Sequence, residues 1–183
     1  MNNTTGPLMP PYTLLYADAD ITDIKAFLMA VRTAADHLSA HIICINADKV
    51  AGRLHIKTAL AHACRAWFTE KNPVARSFEM EVLLWVAATR QTSVAAKFGA
   101  QKGTMPLWVV LVPAKEGIRD AIASLPGLTV SATPPASADE TNAEKKARLM
   151  QDFSISETEL STVGCERLPE LVAERVALSA VYR

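Results

Sequence analysis

Leu107-Trp-Val-Val-Leu-Val112 is the strongest strand signal in the chain: six apolar residues, three of them β-branched, stopped by Pro113, which has no N–H to donate to a ladder. Working outward, Tyr12–Ala17, the β-branched run His41–Asn46 and Leu128–Ala132 give three further strands. Helical spacing fills the intervals. Ile24, Phe27, Leu28, Val31, Ala35 and Leu38 recur on one face of a helix that Asp20 or Thr22 can cap. A second helix, about 54–69, carries Ile56, Ala59, Leu60, Ala63 and Trp67 on one stripe before Asn72-Pro73 breaks the pattern. Ser77 can cap Phe78–Ala88, apolar nearly all round and so expected at the centre of the fold. Thr92 or Ser93 can cap a small helix ending at Gly99. Later helices are expected at about 115–124, at 140–151 as an exposed element, at 156–160, and over the C-terminal LPELVAERVAL with Pro169 as its first residue. The fold expectation is one α+β domain over 12–183, a mostly antiparallel sheet of about four to five strands flanked by helices, its strand order unreadable. Residues 1–11, rich in Asn, Thr, Gly and Pro, are expected to be a disordered tail.

Composition limits the function classes. With 183 residues, half of them hydrophobic, the chain can bury a core of its own. Three cysteines without paired spacing suit a reducing compartment. No secretory signal is visible, and Val82–Ala88, the longest uncharged apolar run, falls far short of the roughly 20 residues a spanning helix needs. A cytoplasmic location is expected. The net charge of zero is unevenly spread: residues 53–102 carry eight Lys/Arg against three acids, while both flanks are acidic. Such a chain offers a local basic face rather than the strength of a general polyanion binder.

No enzyme motif stands out. There is no Gly-rich phosphate loop, no kinase signature set and no G-x-S-x-G elbow. His55 and His62 lie two full turns apart on one helix, too far to share a metal, and His41 falls at a strand start, which spoils its spacing with His37. Neither a cofactor nor a metal is expected. Asp18 and Asp20 read as caps where a strand turns into a helix, and Trp67, Trp85 and Trp108 as core rather than a base-stacking set. Arg90-Gln91 is the exception. Placed between two helices beside a helix start, it reads either as a ligand contact, with arginine giving bidentate phosphate recognition, or as a solvated turn whose arginine pairs with a neighbouring acid.

Several stretches together resemble the kinase-binding subunit of the KEOPS complex, the assembly that makes threonylcarbamoyl-adenosine on tRNA (the PRPK-binding protein family). They are Val50-Ala-Gly-Arg-Leu-His55 leading into the alanine-rich 58–67 helix; Phe78-Glu-Met-Glu-Val-Leu-Leu84 with Thr89-Arg90-Gln91 and then Ala95, Lys97, Phe98 and Gly99; Trp108–Val112 followed by proline; and Leu171-Val-Ala-Glu-Arg-Val-Ala-Leu178. Thr92 departs from the pattern, standing where the family usually has isoleucine or valine, and 133–148 matches weakly. The resemblance implies a non-catalytic adaptor. It would bind the atypical kinase-like ATPase subunit directly and other KEOPS subunits through it, and hold the single-stranded 3′ CCA end of tRNA. On that implication Arg90, Gln91, Thr92, Ser93, Lys97 and Lys102 contact tRNA, and Val172, Arg175, Val176 and Leu178 contact the kinase-like subunit. The alternatives are an interaction scaffold with no tRNA role and a small enzyme whose site carries no familiar motif.

Overall fold

A computed structural model of the chain describes residues 9–135, 139 and 141–182. Residues 1–8 of the expected tail lie outside the described residues. Of the remainder, Met9 packs against the core and the Pro11 carbonyl accepts a hydrogen bond from the Ala114 N–H at 2.7 Å. The chain runs β1 (Thr13–Ile21), α1 (Ile24–Leu38), β2 (His41–Asn46), α2 (Arg53–Cys64, continued by a π-helical turn over Arg65–Thr69), α3 (Phe78–Val86) and α4 (Thr92–Ala95). It continues through β3 (Gly103–Val112), α5 (Ile118–Ala123), β4 (Leu128–Val130), α6 (Ala143–Asp152), α7 (Glu157–Val163) and α8 (Leu168–Leu178).

The sheet order is β2-β3-β1-β4, and every neighbouring pair is antiparallel. Thr13 lies opposite Leu111 and His41 opposite Val112, so β1 and β2 run parallel to each other on either side of β3. This is a split β-α-β-β-α-β arrangement with a helical insertion between β2 and β3. The expected α+β fold with an antiparallel sheet of four strands is the observed one.

Burial on both faces of β3 determines the layering. Trp108, Val110 and Val112 face one layer, built from α2, α3, α6, α7 and α8; Leu107, Val109 and Leu111 face the other, covered by α1 and α5. The expected turn into α1 starts later than the carboxylates of β1 suggested. Asp18 and Asp20 lie within the strand, pointing away from buried Ala17, Ala19 and Ile21, and Asp23 caps α1 by accepting from the N–H groups of Lys25 and Ala26. Helix α6, expected to be exposed, buries Lys145, Leu149 and Met150 against the core.

Two buried polar side chains tie the helical layer together. The Glu81 carboxylate, fully buried, accepts from the N–H groups of Val74 and Ala75 at 2.9 and 2.8 Å and from the Trp85 indole at 2.9 Å. It thereby fastens the loop before α3 onto α3 itself. His55, equally buried, accepts at Nδ1 from the Ala51 N–H at 3.2 Å, leaving Nε2–H to donate to the Val86 carbonyl at 2.8 Å. Both ring nitrogens are satisfied only in the neutral tautomer. Burial, opposed by the bond to Val86 and assisted by the Lys145 ammonium, pushes its pKa down to about 4.

Glu81→Ala strands three donors and is expected to cost about 4 kcal/mol in urea unfolding, with Glu81→Gln, which keeps one acceptor oxygen, costing roughly half as much. His55 has a folded pKa below its unfolded one, so from its ordinary value of 6.5 down to about 4 the unfolded chain binds the proton and the folded chain does not. The stability it confers is present above that window and is lost as pH falls through it, about 3 kcal/mol in all. Denaturation midpoints measured from pH 7 to pH 4 should decline accordingly, and His55→Gln should flatten that decline.

Candidate nucleic-acid interface

Helix α3 ends in a Schellman turn that sets the direction of the polar segment after it. The Thr89 N–H donates to the Leu84 carbonyl and the Ala88 N–H to the Trp85 carbonyl, both at 3.0 Å, which requires the residue at the turn to be left-handed. That residue is Ala88, at φ 47°, where glycine is usual. The Gln91 N–H then donates to the Thr89 hydroxyl at 3.2 Å, and Gln91 rather than Thr92 or Ser93 occupies the capping position of α4, without a side-chain bond. Helix α4 is a single turn, continued by a 3-10 turn over Ala96–Phe98, so its dipole contributes little to binding an anion.

Apolar anchors hold this segment down. Ala95 and Phe98 are buried, Phe98 lying edge-on to Phe153. Gly99 is not the left-handed helix stop the sequence suggested: its backbone is extended and it pairs with Ile45 at the edge of β2. The Gln101 amide closes the loop by donating to the Ala96 carbonyl at 2.7 Å. With the anchors inside, Arg90, Gln91, Thr92, Ser93, Lys97 and Lys102 are all exposed. Between Val82 and Lys115 the sequence contains no acidic residue, so the surface of this segment is uniformly cationic or neutral.

The residues expected to contact a partner separate. Val172 and Val176 are fully buried in the core that α8 shares with α2, and reaching them would require unpacking it. Arg175 is committed internally: its Nη2 lies 2.6 and 2.8 Å from the two Glu159 carboxylate oxygens and ties α8 to α7. Leu178 alone of the four is an exposed apolar side chain, 46% accessible. The apolar stripe read as an interface is a core stripe, because α8 packs centrally rather than on the surface.

Other chemistry is sparse. The open sheet face on which β-α-β-β-α-β domains can stack bases is covered here: Trp108 is fully buried beneath the helical layer and Trp85 nearly so. A groove of about 910 Å³, which no local sequence signal marks, runs beside β2 between Leu28 on α1 and Phe68, Met80 and Leu83. Within it His41 Nδ1 lies 2.7 Å from Glu79 Oε1. Burial alone would raise the Glu79 carboxyl, but hydrogen bonds from His41, its own backbone N–H and Ser77 outweigh this and hold it below the ordinary carboxylate value. Cys44 lines the same groove, where burial pushes its thiol up to about 12, far from a nucleophilic thiolate at neutral pH. Among the described residues no cluster of His, Cys, Asp and Glu is arranged to hold a metal ion, and no helix is long and apolar enough to cross a membrane. No protein-family model and no curated protein matches the chain.

Ala88→Gly relieves the left-handed strain without disturbing the turn and should stabilise the protein by about 1 kcal/mol, read as a raised midpoint of chemical denaturation. Ala88→Val should lower that midpoint by more.

Proposed function

We propose that the chain is a non-catalytic, cytoplasmic adaptor of a KEOPS-type assembly, holding the 3′ CCA end of tRNA while docked on the atypical kinase-like ATPase subunit. One observation carries the reading. The segment 90–102 presents an arginine, an amide, two hydroxyls and two lysines to solvent, with Ala95 and Phe98 fixing it from beneath. Unpaired terminal nucleotides offer phosphates to Arg90, Lys97 and Lys102, and base edges to Gln91, Thr92 and Ser93. Their exposure suits reversible contact with a single strand, and the fixed backbone limits the ordering entropy lost on binding.

The adaptor lowers no chemical barrier. Retaining the tRNA tail makes presentation of the distant target adenosine an intramolecular event, raising its effective concentration at another subunit's active site. Contact with the kinase-like subunit is assigned to the C-terminal end, where Leu178 and Val181 are exposed apolar side chains.

Charge reversal at Arg90 and Lys97 together should weaken tRNA retention by about tenfold or more at moderate salt, while co-purification with the kinase-like subunit is unchanged. Removing the three terminal nucleotides should have the same effect on the unaltered chain. Equal retention of intact and trimmed tRNA, insensitive to both substitutions, would sink the tRNA role and leave a protein scaffold.

A further inference from the structure

Helix α1 carries a second surface, across the groove beside β2 from Ala96, Gly99 and Gln101. Its inner side buries Phe27 and Val31. At 3.6 residues per turn, Lys25, Leu28, Met29, Arg32 and Asp36 fall within an arc of roughly 100° on the opposite side, and all five are exposed. Leu28 and Met29, at mid-helix, are 51% and 70% accessible. Two adjacent large apolar side chains left in water at the centre of a helix face mark a contact surface more often than a lone one does. Although the Asp23 cap and His37 suit the helix ends, two of the charges around Leu28 and Met29 run against the dipole. Lys25 sits in the first turn, where the macrodipole favours acids, and Asp36 in the last, where it favours bases. Among the described residues neither forms an ion pair, and nor does Arg32. Both charges disfavour α1 by itself, so a reason for them is to be sought outside the chain.

We infer that α1 is a self-association surface, docking antiparallel on α1 of a second copy across a two-fold axis that passes between Ala30 and Val31. The charge order selects this occupant. In a two-fold antiparallel pair about that axis, Lys25 of each copy lies opposite Asp36 of the other, forming two equivalent ion pairs about 16 Å apart with Leu28 and Met29 of both copies between them. The two helix dipoles then also run head to tail. Arg32 falls against Met29 of the second copy, which its aliphatic stem can cover. Leu28, Arg32 and Asp36 also form one wall of the groove beside β2, with Phe68 exposed across it. That groove lets the second copy's helix settle beside α1 and adds to the area of a helix only about 22 Å long. An interface of this size is small by the standard of stable dimers, so association is weak and concentration-dependent.

Sedimentation of the full chain across a dilution series tests this directly. The unaltered chain should pass from monomer to dimer as concentration rises. Lys25→Glu and Asp36→Lys each set like charges opposite one another and should each raise the dissociation constant by about tenfold or more. Both substitutions also suit the helix dipole, so loss of the dimer cannot be put down to a damaged α1. An equimolar mixture of the two single variants restores both opposite-charge contacts and should dimerise where neither variant does alone. A chain that stays monomeric throughout the series overturns the inference and leaves the α1 face to a partner of another kind. So does a dimer indifferent to either substitution, or a mixture that fails to associate.

Discussion

The constraint on which the structure depends is that β3, beyond its opening residues Gly103–Pro106, has no solvent face. Its side chains from Leu107 to Val112 are buried on both sides of the sheet, so an antiparallel sheet that could have left one face wet must be covered twice. Helices α1 and α5 cover one face in the way the split β-α-β-β-α-β topology provides. The other face needs an insertion, and the chain between β2 and β3 supplies α2 and α3, which α6, α7 and α8 then complete. Covering the second face removes the surface on which related topologies stack nucleotides. On this side of the sheet, polar recognition is left to the segments that connect the helices of the layer, and 88–103 is such a segment.

A helical layer added over a sheet must also be held in register, and apolar contact alone is indifferent to small slides. Glu81 and His55 are positioned to resist them. Each is fully buried and each is satisfied by its neighbours: three N–H donors on one carboxylate, one donor and one acceptor on one imidazole. Such groups add little net energy when satisfied and cost several kcal/mol when a slide breaks them, so they act as selectors of one packing rather than as glue. Because His55 joins the loop before α2 to the end of α3, the register it selects also fixes where α3 stops and where segment 88–103 begins.

Legibility in the sequence followed the strength of the local signal. The β3 run, the Ser77 cap and Pro169 in the first turn of α8 were readable because each acts within a few residues. By local signals β1 ends at Ala17, four residues short, because Asp18 and Asp20 are good capping types. The alternation Ala17-Asp-Ala-Asp-Ile21, in which the acids merely face outward, is the period-two signal that outweighs them. Gly99 was read as a helix stop because glycine there usually is one; its partner is Ile45, fifty-four residues earlier, which no local rule reaches. For the same reason a partner-contact reading of the stripe Val172–Val176 meets no local objection: periodicity identifies an apolar face and leaves its partner open. The exposure of Arg90 through Ser93 was legible, because four polar residues between two apolar helices have nowhere else to go.

The electrostatics of segment 90–102 set the terms on which the proposed tRNA contact can work. Three exposed cations, Arg90, Lys97 and Lys102, can release only a few counterions, so the proposed RNA contact would by itself be weak and modestly salt-dependent. The acidic flanks of a neutral chain weaken it further at long range. Weakness is consistent with an adaptor: a tail held by two or three phosphates and a few base edges can be released after each turnover, whereas a strongly basic surface would retain the product. Useful occupancy then depends on a second contact made elsewhere in the assembly, because tethering multiplies local concentration without adding a bond to the tail. The same reasoning places specificity in geometry. Arg90 and Gln91 stand where the Schellman turn at Ala88 puts them, on a backbone pinned by Phe98 and Gly99, so in the proposed contact discrimination of a free 3′ end would rest on the spacing of those groups more than on their charge.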